Sequence, residues 1–390
     1  MTNVIETARG SVAEPLAGGR LTIDLAALAE NYRMLARLSA PAETAAVVKG
    51  DAYGIGIAHA VPALLAAGCR RFFVALPAEG AAVRRAAPDA DIIVLNGLFD
   101  AETAAHYARE RLIPVLNTQS DLALWEAHGW DGEVPRPCVI HVDTGMNRLG
   151  LTLERARVLA GENALTGALT PLLLMSHLAC GDDAGHAMNR RQLEAFQAAR
   201  ALFPGVAASL ANSAGIFLGE AYHFGLTRPG VALYGGAAVS GVANPMRPVV
   251  TAEARVVQVR RAAAGETVSY GAPRPLDRDT LIAVVAAGYA DGYPRSASGA
   301  GVPLRDRVAA GAAGWIGGRT VPLLGRVTMD LTMFDVTDLG PDAVAVGDTI
   351  ELFGPNMPID AVAAAAGTIG YELLTGLGRR YHRRYTGEAG

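Results

Sequence analysis

From about residue 45 to 236 one unit recurs: a short apolar run, a turn, then an alanine-rich stretch with apolar residues at helical spacing. The strand candidates are AAVVKG (45–50), RRFFVAL (70–76), DIIVLNG (91–97), LIPVLN (112–117), PCVIHVD (137–143), PLLLMSH (171–177), AASLANS (207–213) and FGLTRPG (224–230). Strands alternating with helices require parallel pairing through crossovers. Eight such units predict a closed (β/α)8 barrel of the TIM type, with a doubly wound open sheet as the alternative. An earlier strand, RLTIDL (20–25), would be a ninth, so it is placed outside the barrel and paired with the later domain. After about residue 248 the crossover helices stop. TAEARVVQVRRA, TLIAVVAAGYADG, RTVPLLGRVTMDLTMFDV and DTIELFG are joined by Gly-, Pro- and Asp-rich turns, which predicts a mainly antiparallel β domain closed by a helix over 359–376. The expected organisation is a mobile tail over 1–19, the barrel over 20–247 and the β-rich domain over 248–390.

With 390 residues, 51% of them hydrophobic, the chain can fill two sizeable cores. A net charge of −4 gives no reason to expect nucleic-acid or acidic-membrane partners. No apolar run approaches the roughly 20 residues of a membrane span. The N-terminal segment lacks the basic start and apolar core of a signal peptide, so a soluble, cytoplasmic protein is expected. Cys69, Cys138 and Cys180 stand far apart, without a CxxC pair, and read as reduced, buried thiols rather than a disulfide framework or a metal site.

Barrel active sites lie at the C-terminal ends of the strands. Those ends carry Lys49 and Tyr53, then Asn147 and Arg148, His177, Asn212 and Ser213, and finally Arg228 and Gly230. Each has a plain structural reading. A strand-end lysine snorkels to water, a strand-end histidine is hydrogen-bonded, and an Asn-Ser pair caps a helix. Within AAVVKGDAYGIG (45–56) nothing decides whether Lys49 snorkels or is desolvated into a nucleophile able to form a Schiff base. Taken together, one rim gathers a lysine, a histidine, two arginines and two hydroxyls, and the last two strands of a barrel are the usual phosphate site. Pyridoxal phosphate calls for this set: a lysine for its aldehyde, a phosphate cradle, and a group facing its ring nitrogen. Arg228 suits the last role because it donates a hydrogen bond without giving up its proton.

The chain resembles alanine racemase, a fold-type III pyridoxal phosphate enzyme, from about residue 20 to 385. The motifs VVKGDAYGIG, HVDTGMNRLG, SHLA, NSAG, RPGVALYG, VSYGA, GYADGYPR and GRVTMD occur in the family's order. The resemblance implies that Lys49 holds the cofactor and acts as one base, while Tyr270 is the second base, contributed by the other subunit of a head-to-tail homodimer with shared sites. It places His177 beside the ring and Arg228 at the ring nitrogen. Tyr53, Asn212, Ser213, Gly230, Val231 and Tyr234 complete the cofactor set, mostly around the phosphate. Arg148 and the Met329 backbone hold the substrate carboxylate, and Tyr289 narrows the entry. The substrate implied is alanine, and the role implied is supply of D-alanine for peptidoglycan.

Three positions depart from the family pattern. His141 stands where many members carry a carbamylated lysine that braces the arginine, so Arg148 needs another brace; a neutral His141 accepting a hydrogen bond and a solvated strand histidine are the two readings. Thr328 replaces a frequent cysteine. Near the C-terminus Arg379, with Tyr381 close by, occupies the place of an active-site tyrosine in some members. A base on each face of Cα removes a proton from one side and returns one to the other. For a tyrosine, with an ordinary pKa near 10, that requires positive charge or a proton relay nearby, which His177 and Arg228 are expected to supply. The competing readings are a broad-specificity or serine racemase of the same fold, a decarboxylase, and a non-catalytic pyridoxal phosphate carrier.

Overall fold

The computed structural model describes residues 12–128, 136–161, 169–298 and 311–387. The chain divides into two units. One comprises the described part of Met1–Ala27 and of Pro248–Glu388, and the other that of Leu28–Arg247. The first strand, β1 (Gly19–Asp24), belongs to the former and leads directly into the helix Leu25–Ser39.

The barrel is built as the alternating pattern requires. The strand β2 (Glu43–Thr44) runs through Ala45 into β3 (Ala46–Val47), and these act as one. Next come β4 (Arg71–Val74), β5 (Asp91–Val94), β6 (Ile113–Leu116), β7 (Arg136–His141), β8 (Leu169–Met175), β9 (Ala207–Ser209) and β10 (Leu226–Thr227). From β3 to β9 every neighbour is parallel and in sequence order. Closure is made at β10. It pairs with β2, while the Gly225 and Arg228 N–H groups donate to the Ala208 and Ala211 carbonyls at 3.0 and 2.9 Å. The open-sheet alternative is thereby excluded.

Inside, Ala45, Val47, Phe73, Ile93, Ile113, Val115, Val139, Leu173, Met175 and Leu226 form one buried cluster, so the barrel is filled by side chains. A buried carboxylate fixes the ends of β5 and β6. Asp121 accepts the Leu98 N–H on Oδ1, and the Asn117 and Thr118 N–H groups on Oδ2, each at 2.9 Å.

The other unit is mainly antiparallel. Its sheet runs β12 (Thr280–Val285), β15 (Thr332–Asp335), β14 (Arg319–Leu324), β13 (Ala313–Ile316), β16 (Thr349–Phe353), β11 (Val250–Ala262), β1 and β17 (His382–Thr386). The 13-residue β11 makes this possible. Its first half pairs with β1 and β16; after an irregularity at Val256/Gln258 its second half pairs with β12, closing a six-stranded barrel. β1 pairs antiparallel with β11 and parallel with β17.

The structure differs from the sequence reading in detail. Residues 1–11 of the expected tail lie outside the described residues. The rest of it is ordered: Glu14–Leu16 forms a 3-10 turn, the His382 ring donates to the Val12 carbonyl at 3.0 Å, and β1 begins at Gly19. The closing helix is two helices, Ile359–Ala366 and Gly370–Thr375, separated where Gly367 turns left-handed at φ 70°. Cys69 and Cys138 are buried, which pushes their thiols up to about 12, but Cys180 is only partly covered. Among the described residues no helix is long and apolar enough to cross a membrane, and no acidic, histidine or cysteine cluster could hold a metal.

Asp121→Ala leaves the buried Leu98 and Asn117 N–H groups without acceptors, so it is expected to cost about 3 kcal/mol in urea unfolding. A loss below about 1 kcal/mol would show that this anchor is dispensable.

Candidate active site

The mouth of the barrel is assembled by the two-residue period of its strands. In each strand an inward core residue is succeeded, two positions on, by a second inward residue at the C-terminal end. Val47 is succeeded by Lys49, Val115 by Asn117, Val139 by His141, Met175 by His177 and Leu226 by Arg228. Register then sets the neighbours. Val115 pairs with Val139, which brings Asn117 beside His141, and the His141 ring Nδ1 lies 2.7 Å from Asn117 Oδ1. The Asn117 amide nitrogen donates to the Leu95 and Val115 carbonyls, so Oδ1 is the acceptor and His141 carries its proton on Nδ1. Burial, then the charges of Arg228 and Arg148, lower the His141 pKa to about 4. It is a buried neutral ring, which removes the solvated reading, and its hydrogen-bond partner is Asn117 rather than Arg148.

Arg228 is buried, and its guanidinium rests on neutral oxygens. Nε donates to Ser209 Oγ at 2.8 Å, and Nη2 to the carbonyls of Ser176 and, at 3.3 Å, Leu210. Burial and the Arg148 charge lower its pKa to about 10, so it stays a cation at neutral pH. Its charge, with burial foremost, holds the partly buried His177 well below its ordinary 6.5. His177 is therefore neutral, and of the two groups expected to supply positive charge only Arg228 carries it. Asn212 spends Oδ1 on the Gly215 N–H as a helix cap, which turns its amide nitrogen toward His177 Nε2 at 3.5 Å.

Lys49 is half-buried, and its pKa is lowered by burial first, then by Arg148 and Arg228, against an opposing pull from Glu79. The turn after it is unusual. Gly50, Asp51, Ala52, Tyr53 and Gly54 all have positive φ, between 52 and 86°. For a non-glycine residue this conformation costs about 1–2 kcal/mol. Hydrogen bonds offset it: Ala52 N–H to the Val48 carbonyl, Gly54 to Gly50 and Gly56 to Asp51, all between 2.8 and 2.9 Å. Glu79 ties the turn down by accepting the Gly50 N–H at 2.6 Å and the Ala75 and Leu76 N–H groups. The turn lays the Tyr53 ring on Tyr234, with centroids 4.5 Å apart, and Tyr234 donates to the Val47 carbonyl at 2.9 Å. A Cβ on Gly230 would lie 2.3 Å from the Tyr53 hydroxyl, so only glycine permits that approach. Ser213 Oγ accepts the Gly230 N–H at 2.8 Å, at the start of the single turn Val231–Tyr234.

Arg148 is exposed on a loop fixed at its root. Asp143 accepts the Gly145, Met146 and Asn147 N–H groups, with Asn147 left-handed at φ 55°. Thr144 Oγ1 meets Ser176 Oγ at 2.7 Å, which ties this loop to the strand end beneath Arg228.

The other predicted residues lie in the β unit. Tyr270 stands on a turn and is 69% exposed, unlike a packed strand tyrosine, while Ser269 Oγ donates to the Arg326 carbonyl at 2.8 Å. Tyr289 and Met329 are exposed on neighbouring turns, joined by hydrogen bonds from the Tyr289 N–H to the Thr328 carbonyl and from the Ala290 N–H to the Met329 carbonyl, both 3.0 Å. Arg379 is exposed; Tyr381 is buried. Sequence reasoning missed Asn117, Ser209, Glu79 and the pair Arg380–Asp291. The first two were accessible by continuing the inward period of β6 and β9; the others carry no local signal.

A barrel with a lysine of lowered basicity, a buried arginine and an exposed one at its mouth suits an enzyme that handles an anionic ligand through an amine. Residues 23–238 match the family described as alanine racemase, N-terminal domain, and residues 249–385 match alanine racemase, C-terminal domain. The chain is 56% identical to an alanine racemase of Rhizobium meliloti over 96% of its length and 98% of that protein's. It is 54% identical to a biosynthetic alanine racemase of Agrobacterium fabrum, covering 94% of this chain and 93% of that one. The crystal structure of alanine racemase from Bartonella henselae with covalently bound pyridoxal phosphate superposes with a TM-score of 0.86 at 38% identity, over 95% of this chain and 99% of that one. The chain belongs to the alanine racemase family of isomerases.

Because His141 and His177 are held neutral, the unfolded chain binds more protons than the folded one below pH 6.5. Stability is therefore lost as pH falls, and for His141 the loss between pH 7 and pH 4 is about 3 kcal/mol. Urea unfolding across that range checks this, and His141→Gln is expected to flatten the dependence.

Proposed function

We propose that the chain interconverts L- and D-alanine with pyridoxal phosphate, as a cytoplasmic homodimer whose sites are shared between subunits, and supplies D-alanine for peptidoglycan. The observation that carries this reading is Lys49: an amine made less basic by burial and by two arginines, at the mouth of a barrel in this family. The residues fit the cofactor. The mouth offers cations to an anion, one of them the buried Arg228, and Gly230, Val231, Ser213, Asn212, Tyr53 and Tyr234 lie where a phosphate would be held, with the Tyr53 hydroxyl close over Gly230. Arg228 would donate to the ring nitrogen, and neutral His177 would pack beside the ring. When bound, pyridoxal phosphate stabilises the electron pair left at Cα after a proton leaves.

The remaining work falls to the chain. Arg148 and the Met329 backbone hold the substrate carboxylate, which keeps it from being lost, and Tyr289 narrows the entry. Lys49, made less basic by burial and by the arginines, takes or returns the proton on one face of Cα. The partner subunit's Tyr270 serves the other face. Arg228 keeps its own proton at neutral pH, so the ring nitrogen gains no full charge, which favours quick return of the proton to Cα over side reactions. Support for the dimer comes from exposure: Tyr270, Tyr289 and Met329 are all open to solvent in the single chain, whereas proton transfer at Cα calls for an enclosed site.

Lys49→Ala and Tyr270→Phe are each expected to lower racemisation by at least about a hundredfold. After subunit exchange, an equal mixture should regain about a quarter of the wild-type sites, since each mixed dimer holds one intact site. Deuterium should enter Cα of both enantiomers in deuterium oxide with the wild type. Exchange of subunits without recovery of activity would sink the shared site, and a wild type that racemises serine as fast as alanine would replace the substrate.

A further inference from the structure

We propose that Arg380 is a positioning residue that locks together the turns bearing Tyr289 and Met329, and so sets how tightly the substrate end of the site fits alanine. The inference rests on the function proposed above for those two residues. Arg380 makes a two-pronged contact with Asp291, Nε to Oδ1 and Nη2 to Oδ2, both 2.7 Å, and its Nη1 donates to Asp330 at 2.7 Å. Asp291 ends the short turn Tyr289–Asp291, and Asp330 comes directly after Met329. One guanidinium thus holds both turns.

Three features show that the lock is built in rather than a chance surface pair. Asp291 is buried, and its Oδ2 also accepts the Gly288 N–H at 2.9 Å, so the carboxylate organises the turn from inside. The backbones interlock without room for side chains. A Cβ on Gly288 would lie 2.2 Å from the Thr328 carbonyl, one on Gly292 would lie 2.2 Å from the Gly376 carbonyl, and one on Gly378 would lie 2.9 Å from the Ala290 carbonyl. The Gly378 N–H donates to the Asp291 carbonyl at 3.0 Å, so the segment carrying Arg380 is itself bonded to the turn it grips. Arg380 sits two residues before β17, which roots it in the sheet beside β1.

The planar fork is what matters. A lysine would keep the charge but cannot engage both Asp291 oxygens and Asp330 at once. Arg380 is half-exposed, so the pair itself contributes little to global stability, and its effect should fall on local geometry.

The test compares wild type with Arg380→Lys and Arg380→Met. Both variants are expected to raise KM for L- and D-alanine at least about threefold with kcat changed less, because the lock acts on substrate placement and not on either base. Serine should gain on alanine in relative kcat/KM. In the holoenzyme, hydrogen exchange should quicken in 288–292 and 328–331 and stay unchanged in the barrel, with Tm nearly constant. If KM and local exchange are both unchanged in Arg380→Lys, or if exchange rises uniformly with a fall in Tm, the proposal is overturned and the pair is structural. The exchange readout needs no turnover, so faster local exchange in a wild-type background that fails to racemise alanine would retain the lock and reject the function.

Discussion

A guanidinium buried without a carboxylate partner is a demanding thing to put inside a barrel. Moving such a charge out of water costs several kcal/mol even after relaxation. Arg228 is tolerated because two neighbouring strand ends present three oxygens to it at once: the Ser176 carbonyl after β8, and Ser209 Oγ and the Leu210 carbonyl at the end of β9. The closure of the barrel and the burial of this cation are therefore one event, since the Arg228 N–H itself bonds to Ala211 across the β9–β10 seam. Its charge adds to what burial does to its neighbours. Lys49, His177 and His141 are all made less basic, each by burial first and by arginine charge second. The mouth becomes a place where two histidines are kept neutral and a lysine is made less basic around a buried positive charge, which favours an amine that can accept a proton.

Rigidity around that mouth comes from short, local devices. Asp143 gathers three successive N–H groups under the Arg148 loop. The left-handed turn at Gly50–Gly54 is held from both sides by its own hydrogen bonds and by Glu79. Strain of this kind persists only where the surroundings overdetermine it, and here they do.

Much of this was legible beforehand. The strand candidates matched the barrel because a closed parallel barrel repeats a pattern that short apolar runs and helical spacing display openly. Lys49, His177 and Arg228 were found because strand ends mark the mouth. What escaped depends on register, burial or long range. Nothing in LIPVLN says that Asn117 will face His141 until β6 and β7 are paired. The charge state of His177 depends first on its burial and then on two arginines distant in sequence. Arg380 and Asp291 are separated by 89 residues, and their juxtaposition is a product of tertiary packing alone.

The place of β1 has a consequence for how the chain is made. Its residues leave the ribosome before any strand of the barrel, yet its hydrogen-bond partners lie in β11 and β17, which come after the whole barrel. The barrel strands that come after β1 are complete by Thr227 and draw all their pairings from among themselves. A growing chain can thus close the barrel first, while the strand that preceded it waits, with both edges bare, until β11 is made. An unsatisfied strand edge is an invitation to wrong partners. β1 is only six residues long and alternates buried with half-covered positions, which limits that risk during synthesis.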